Sequence, residues 1–138
     1  MKLDESIKII ITDNSPEFIE GLLLLLSFNP KYKVIEVCNN GNILLQSQYL
    51  YQTNILLMDI EMPGINGIET AKRVNYKFPH IPMIAISMFQ DKVYLDKIIE
   101  AGFKGIIYKP EMTENIYEGI DKVLKGELYF PRDINIMF

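Results

Sequence analysis

Short apolar runs alternate along the chain with segments whose apolar residues recur at helical spacing. Five such runs predict five β-strands, at Ile7–Thr12, Val34–Cys38, Ile55–Met58, Met83–Ile86 and Gly105–Tyr108. The segments between and after them predict five helices, near Pro16–Phe28, Asn42–Tyr51, Ile68–Tyr76, Asp91–Ala101 and from Thr113 to the residues before Gly126. Alternation of strands and helices with short links implies parallel strands joined by right-handed crossovers. The pattern therefore predicts an α/β fold, a doubly wound five-stranded parallel sheet with five helices.

The first predicted helix carries more apolar residues than one face can hold. Ser15 precedes it as the predicted N-cap. Because successive helical residues are about 100° apart, the leucines of Leu22–Leu26 cannot all face the sheet. We expect Phe18, Leu22 and Leu25 to pack on the sheet and part of the leucine run to stay exposed.

Composition and charge narrow the class of protein. The 138 residues suit one domain, and 49% apolar with 23% charged residues is ordinary globular composition. A net charge of −4 argues against a surface built mainly to bind phosphate backbones. Cys38 is the single cysteine, which excludes an internal disulfide and a cysteine-based zinc site. Since no apolar stretch approaches the ~20 residues that span a bilayer, we expect a cytoplasmic protein without membrane contact.

The ends of the predicted strands carry residues suited to chemistry. Asp13 and Asn14 come after the first strand, Asp59 after the third, Ser87 after the fourth and Lys109 after the fifth. In open parallel sheets, ligands bind outside the carboxyl ends of the strands. Taken singly, each residue has an ordinary structural explanation, such as a helix cap, a turn residue or a solvated charge. Their joint placement at one edge of the sheet instead indicates a site.

The charges of these residues favour phosphoryl chemistry. Two converging carboxylates, Asp13 and Asp59, repel each other unless a cation lies between them, and Mg²⁺ with oxygen ligands and bound water fits that arrangement. Lys109 and the metal would offset the charge of a transferred phosphoryl group, and Ser87 would donate a hydrogen bond to it. Either carboxylate suits the nucleophile of an aspartyl phosphate. Asp59 is the better candidate, because the glycines of the following loop (IEMPGING) let backbone N–H groups approach an oxyanion.

Four stretches of the sequence resemble, in order and spacing, the successive signatures of the receiver domain of two-component response regulators. They are ITDNSPEF, ILLMDIEMPGINGIE, IPMIAIS and EAGFKGIIYKP, and the resemblance covers about Ile7 to Gly126. The later stretch KVLKGELYFPRDI is similar to the receiver-to-linker junction of LuxR/NarL (FixJ)-type regulators. The resemblance implies a flavodoxin-like receiver domain over residues 1–126. Residues 127–138 would begin a linker toward a helix-turn-helix DNA-binding domain absent from this sequence.

The resemblance also assigns roles to the residues at the strand ends. Asp59 matches the aspartate that takes a phosphoryl group from the phosphohistidine of a sensor histidine kinase. Asp13 and Asp59 match side-chain ligands of the Mg²⁺, and the backbone carbonyl of Glu61 matches a third protein ligand. Ser87 matches the switch residue that moves toward the phosphoryl group, and Lys109 matches the lysine that pairs with that group.

Three positions depart from the pattern of that family. Asn14 stands where a second acid is usual, which weakens metal binding although its amide oxygen remains a candidate metal ligand. Met88 replaces a small residue and hinders access to Asp59, and Ile106 replaces an aromatic residue on the fifth strand. The resemblance further implies a cis peptide bond before Pro110. We interpret the site as active with altered kinetics.

These features predict a phosphorylation-activated signalling switch that controls a transcriptional output domain. Its partners would be the sensor histidine kinase, a second copy of the chain bound through the first and last helices, and DNA only through the absent C-terminal domain. Self-dephosphorylation would be weak, tuned at Glu61 and Phe89, so we expect no enzyme in the usual sense. The alternative is a receiver-like protein-interaction module that works without phosphorylation, which Asn14 and Met88 favour. A haloacid-dehalogenase-type phosphatase is disfavoured, because it needs a second Asp where this chain has Glu61.

Overall fold

The five apolar runs form strands, and each is followed by a helical segment. The computed structural model describes residues 5–62, 64–89 and 92–130. Its strands are β1 (Ile7–Thr12), β2 (Tyr32–Cys38), β3 (Ile55–Asp59), β4 (Met83–Ser87) and β5 (Gly105–Tyr108). Its helices are α1 (Pro16–Ser27), α2 (Gly41–Leu45), α3 (Gly67–Lys77), α4 (Lys92–Glu100) and α5 (Met112–Leu124), with a 3₁₀ turn at Lys109–Glu111. None of these helices is long and apolar enough to cross a membrane.

All five strands run parallel in a single sheet with the order β2-β1-β3-β4-β5. The predicted α/β class with its doubly wound parallel sheet is thereby confirmed. From β1 the chain winds outward to β2 and then returns past β1 to β3, which lies on the other side. This reversal opens a crevice at the carboxyl ends of β1 and β3, where sheets of this kind bind ligands.

Alternation along each strand divides the core into two clusters, one on each face of the sheet. Ile9 and Ile11 belong to the cluster beneath α1 and α5, whereas Ile10 between them belongs to the other. The residues of α1 and α5 that complete the first cluster are Leu22, Leu26, Met112, Ile116, Ile120 and Val123. Burial of one aliphatic side chain contributes about 1.5–3 kcal/mol to the stability of the fold. The many buried side chains of the two clusters together hold the strand ends in fixed relative positions.

The first helix begins where the sequence predicts. The Ser15 hydroxyl accepts the backbone N–H of Phe18 at 3.4 Å, as an N-cap does. Leu22 is buried as expected, but Leu26 completes the face toward the sheet, and Leu25 is only half-buried. The expected exposure of part of the leucine run is confirmed.

The second helix is shorter than predicted, because it ends at Leu45 and does not reach Tyr51. The Ser47 hydroxyl donates to the Glu36 carboxylate at 2.5 Å and accepts the backbone N–H of Tyr49 at 3.0 Å. Bonds of this kind offer the backbone an alternative to the helical ladder. These hydrogen bonds explain why the chain after Leu45 forms turns, although its apolar residues recur at helical spacing.

The last helix begins at Met112, so the prediction of Thr113 as its N-cap is wrong. Pro110 lies in the preceding 3₁₀ turn, where the fixed φ of proline suits the start of a helical segment. Helical structure therefore starts earlier than the sequence suggests. No peptide bond among the described residues is cis. The cis bond expected before Pro110 is accordingly wrong, and the bond is trans.

The start of the predicted linker lies along the edge of the sheet. The Tyr129 N–H donates to the Lys104 carbonyl at 2.9 Å, and the Ile106 N–H donates to the Tyr129 carbonyl at 2.9 Å. Tyr129 thus forms a parallel bridge with Gly105 of β5. The outer edge of β5 is therefore paired by the chain itself. The rest of the predicted linker, residues 131–138, lies outside the described residues.

Gly67 allows α3 to start against the end of β3. A Cβ at this position would lie 2.2 Å from the Asp59 carbonyl oxygen and 2.6 Å from Ile60 Cα. Gly67→Ala is expected to lower the free energy of unfolding by about 1–3 kcal/mol, measured in urea, because the backbone must shift. The control is Gly21→Ala in α1, where nothing lies within 4 Å of the added Cβ. That variant is expected to be stabilised by about 0.5–1 kcal/mol, so equal effects of the two changes would contradict the prediction.

Candidate functional site

The sheet brings four of the predicted site residues to its carboxyl edge. Asp13 directly follows β1, Asp59 and Ser87 end β3 and β4, and Lys109 directly follows β5. The first three are buried, Asp13 and Ser87 completely. Because β1 and β3 are neighbours in the sheet, the parallel topology itself places Asp13 beside Asp59.

One ammonium group bridges these two carboxylates. Lys109 Nζ lies 3.0 Å from Asp13 Oδ2 and 3.3 Å from Asp59 Oδ2. A third neighbour is aromatic, since Nζ lies 4.4 Å from the centroid of the Phe18 ring. The Lys109 side chain is only 11% exposed. One positive charge thus faces two negative charges in a largely buried site.

The surroundings of Asp59 disfavour the charged form of its carboxyl group. Burial and the negative charge of Asp13 both raise the pKa of Asp59, whose net value is about 6 against an ordinary 3.8. The Glu61 N–H, which donates to Asp59 Oδ1 at 2.9 Å, and the Lys109 ammonium both act in the opposite direction on this pKa. The influences that raise the pKa are the larger, so the Asp59 carboxyl ionises less readily than it would in water.

The donor set of the site fits Mg²⁺. Asp13 Oδ1 accepts the Ser15 N–H at 2.8 Å, whereas the buried Asp13 Oδ2 has no hydrogen-bond partner among the described residues and meets Lys109 only as an ion pair. No group of three His, Cys, Asp or Glu side chains within the described ranges is arranged to hold a metal ion. Two carboxylates, a backbone oxygen and water would together supply the oxygen coordination that Mg²⁺ favours.

Ser87 is engaged by Glu61 rather than by the acidic pair. Its hydroxyl lies 3.0 Å from Glu61 Oε1 and 2.9 Å from the Phe89 carbonyl, both of which are acceptors, and it accepts the Phe89 N–H at 3.0 Å. The sequence assigned the backbone carbonyl of Glu61 to the metal and Glu61 itself to the tuning of self-dephosphorylation. The contact between its carboxylate and Ser87 was not predicted.

Of the three residues that depart from the family pattern, Asn14 and Met88 lie at the surface of this region, and Ile106 is buried. Asn14 is exposed beside the buried Asp13. Met88 is 45% exposed, so any obstruction of access to Asp59 comes from a side chain that is partly in solvent. Phe18 was missed as a site residue, and the available signal was its place in the first turn of the helix that follows Asp13.

Comparison with known proteins identifies the family. The response regulator receiver domain family matches residues 9–121. Transcriptional regulatory protein LnrK of Bacillus subtilis (strain 168) is 30% identical over 128 residues, which cover 93% of this chain and 58% of that protein. Oxygen regulatory protein NreC of Staphylococcus aureus (strain JH9) is 30% identical over 123 residues, which cover 88% of this chain and 57% of that protein. The chain thus spans a little over half the length of these relatives.

Solved structures agree with the fold. A two-component response regulator of the LuxR family from Aurantimonas sp. SI85-9A1 superposes with a TM-score of 0.87 at 23% identity, over 94% of this chain and 92% of that one. The isolated REC domain of RcsB from Salmonella enterica serovar Typhimurium, solved with phosphomimetic BeF3⁻, gives a TM-score of 0.83 at 21% identity, over 92% of this chain and 94% of that one. The chain belongs to the response regulator receiver domain family.

Proposed function

We propose that this chain is a phosphorylation-activated switch in which Asp59 accepts a phosphoryl group from the phosphohistidine of a sensor histidine kinase, with Mg²⁺ as cofactor. The observation that carries the proposal is the convergence of Asp13 and Asp59 on the Lys109 ammonium at the switch point of the sheet. A buried acidic pair that shares a single cation is suited to bind a divalent metal and an anion together.

The transfer step uses groups whose positions are already fixed. A carboxylate oxygen of Asp59 attacks phosphorus, a P–O bond to Asp59 forms, and the P–N bond to the kinase histidine breaks. Lys109 and the Glu61 N–H, which already contact the Asp59 carboxylate, stabilise the charge that spreads over the phosphoryl oxygens. Asp13, Asp59 and the Glu61 carbonyl would hold the Mg²⁺, with Asn14 as a further candidate ligand. When bound, the metal supplies positive charge to the phosphoryl oxygens.

Ser87 supplies the conformational response. The single proton of its hydroxyl has two acceptors within reach, the Glu61 carboxylate and the Phe89 carbonyl. To donate to a phosphoryl oxygen on Asp59, it must leave both acceptors, so phosphorylation pulls on the loop after β4. A local charge then shifts a two-state surface around α4, as in other phosphorylation switches. Slow loss of the phosphoryl group to water, tuned at Glu61 and Phe89, would reset the switch.

The output is proposed from the relatives. The relative LnrK carries the name transcriptional regulatory protein, and this chain spans 58% of its length. Residues 1–126 would be the receiver domain, and residues 127–138 would begin the linker to a helix-turn-helix domain that makes the DNA contacts. A homodimer through α1 and α5 would transmit the signal, and the apolar groove between these helices, lined by Leu24, Phe28 and Met112, supports such a contact. We place the protein in the cytoplasm, where sensor kinases present their phosphohistidine.

Incubation with acetyl phosphate and Mg²⁺ tests the proposal. The intact protein is expected to gain the mass of one phosphoryl group, and a chelator is expected to prevent the gain. Beryllofluoride should shift the amide NMR signals of Asp59, Ser87 and Lys109 under the same conditions. A protein that gains no mass and shows no shift would contradict the proposal. That outcome would favour the interaction module that works without phosphorylation, for which Asn14 and Met88 are the motivating departures.

A further inference from the structure

The Lys109 ammonium has an aromatic neighbour, Phe18, to which the proposed phosphoryl transfer gives no role. Its Nζ lies 4.4 Å from the centroid of the Phe18 ring, within the range of a cation–π contact. The same nitrogen contacts Asp13 and Asp59 at 3.0 Å and 3.3 Å. Three groups from β1, β3 and α1 therefore meet the ammonium of a side chain that follows β5.

The ring is tied to the acidic site by a short chain of local hydrogen bonds. Asp13 Oδ1 accepts the Ser15 N–H at 2.8 Å, and Ser15 Oγ accepts the Phe18 N–H at 3.4 Å. Phe18 also packs against the core cluster beneath α1 and α5. The first turn of α1 is thereby fixed to Asp13, and the ring is fixed relative to the carboxylates that Lys109 must reach.

A ring suits this position better than a third acid would. Lysine carries its charge on a flexible four-carbon stem, so two carboxylates alone leave it several orientations. An additional carboxylate would hold the ammonium but would also neutralise the charge that a phosphoryl group needs. The face of Phe18 attracts the cation through its quadrupole and adds no net charge. It also covers Lys109 on the side of the groove between α1 and α5, which both residues line.

We propose that Phe18 is a positioning residue for phosphoryl transfer. Its ring holds the Lys109 ammonium beside the two carboxylates, so that the ammonium is already in position to contact the phosphoryl group on Asp59. The inference rests on the proposed function, because it assigns Phe18 a role in that reaction. Phe18 does not touch the reacting atoms and acts through Lys109 alone.

The test compares three variants of the full chain. Phe18→Leu removes the ring and keeps an apolar side chain, and Phe18→Tyr keeps the ring. Phe28→Leu makes the same change in the residue that caps α1, at a side chain that is 71% exposed and lines the same groove. Two quantities are measured for each protein: the rate of mass gain with acetyl phosphate and Mg²⁺, and the NMR shift of the Lys109 ε-methylene protons. The shift reports the ring, because protons above an aromatic face are moved upfield by its ring current.

We expect Phe18→Leu to slow phosphorylation about three- to tenfold, a factor within the range to which the loss of a cation–π contact corresponds. The upfield shift of the Lys109 protons should disappear in the same variant. Phe18→Tyr should restore both quantities, and Phe28→Leu should change neither. Urea unfolding of each variant shows that the rates come from folded protein.

Each contrary result has a separate meaning. If the wild type is phosphorylated and Phe18→Leu is phosphorylated at the same rate, this inference is overturned and the proposed function stands. If Phe18→Leu is slow but the Lys109 protons keep their shift, the ring does not act through Lys109, and the inference is again overturned. If the wild type gains no phosphoryl group, the proposed function fails and the role of Phe18 fails with it.

Discussion

Asp59→Asn is expected to abolish phosphoryl uptake and, at the same time, to stabilise the protein at neutral pH. An amide does not form an acyl phosphate, so the mass gain with acetyl phosphate should disappear. The stabilisation follows from the buried carboxylate, whose pKa of about 6 in the folded protein lies above its ordinary value of 3.8. The variant leaves one ammonium, on Lys109, facing one carboxylate, on Asp13.

The pH dependence of stability fixes the sign of this effect. Between about pH 4 and pH 6, the folded protein holds more protons on Asp59 than the unfolded chain does. The contribution of Asp59 is therefore most favourable at low pH and is lost as the pH rises through the pKa of the folded state. A shift of about two pKa units corresponds to about 3 kcal/mol.

Urea unfolding in the presence of a chelator measures the difference. At pH 7.5, Asp59→Asn should have a free energy of unfolding about 1–3 kcal/mol above the wild type, and the gap should close toward pH 4. Asp121→Asn is the control, because Asp121 belongs to an exposed pair with Lys125 and should change stability by less than about 1 kcal/mol. A variant of Asp59 that is less stable than the wild type at pH 7.5 would contradict the electrostatic account.

Lys109→Ala is expected to slow phosphoryl uptake by about 10²- to 10³-fold, the effect of removing one group that stabilises transition-state charge. It should also destabilise the folded protein in chelator at pH 7.5, because Asp13 and Asp59 then face each other without a cation. The loss of one partner of a buried ion pair costs up to about 3–5 kcal/mol. Added Mg²⁺ should recover part of this stability in the variant, since the metal takes the same two carboxylates.

The matched control for this change is Lys125→Ala. Lys125 pairs with Asp121 at 3.0 Å, but both side chains are more than half exposed. Its removal should leave the phosphorylation rate unchanged and the free energy of unfolding within about 1 kcal/mol. Equal rates for Lys109→Ala and the wild type would show that the ammonium does not act on the transferred group.

The sequence predicts those parts of the site whose positions follow from the order and direction of the strands alone. Parallel strands end at one edge, so Asp13 and Asp59 had to be neighbours once β1 and β3 were adjacent. Ile9, Ile10 and Ile11 are buried on alternate faces of the sheet, as the two-residue period of a strand requires. The ends of the strands were predicted within two residues, because the burial of strand residues follows the pattern of apolar residues along the sequence.

The sequence does not predict what depends on the approach of side chains from distant segments. The Phe18 ring meets Lys109 only because the long lysine side chain reaches from the end of β5 to the first turn of α1, and the Glu61 carboxylate meets Ser87 only through the rotamer of each. The early start of α5 and the pairing of Tyr129 with β5 arise in the same way. Local propensity gives no information about such contacts, which tertiary packing decides.

The most direct test of the central claim is to locate the modified residue after phosphorylation with acetyl phosphate and Mg²⁺. Borohydride reduces an acyl phosphate to the alcohol, so an aspartyl phosphate becomes homoserine, which mass spectrometry of the proteolytic peptides identifies. The account predicts homoserine at position 59 and an unmodified residue at position 13. Homoserine at another position, or none in a protein that has gained the phosphoryl mass, would contradict it.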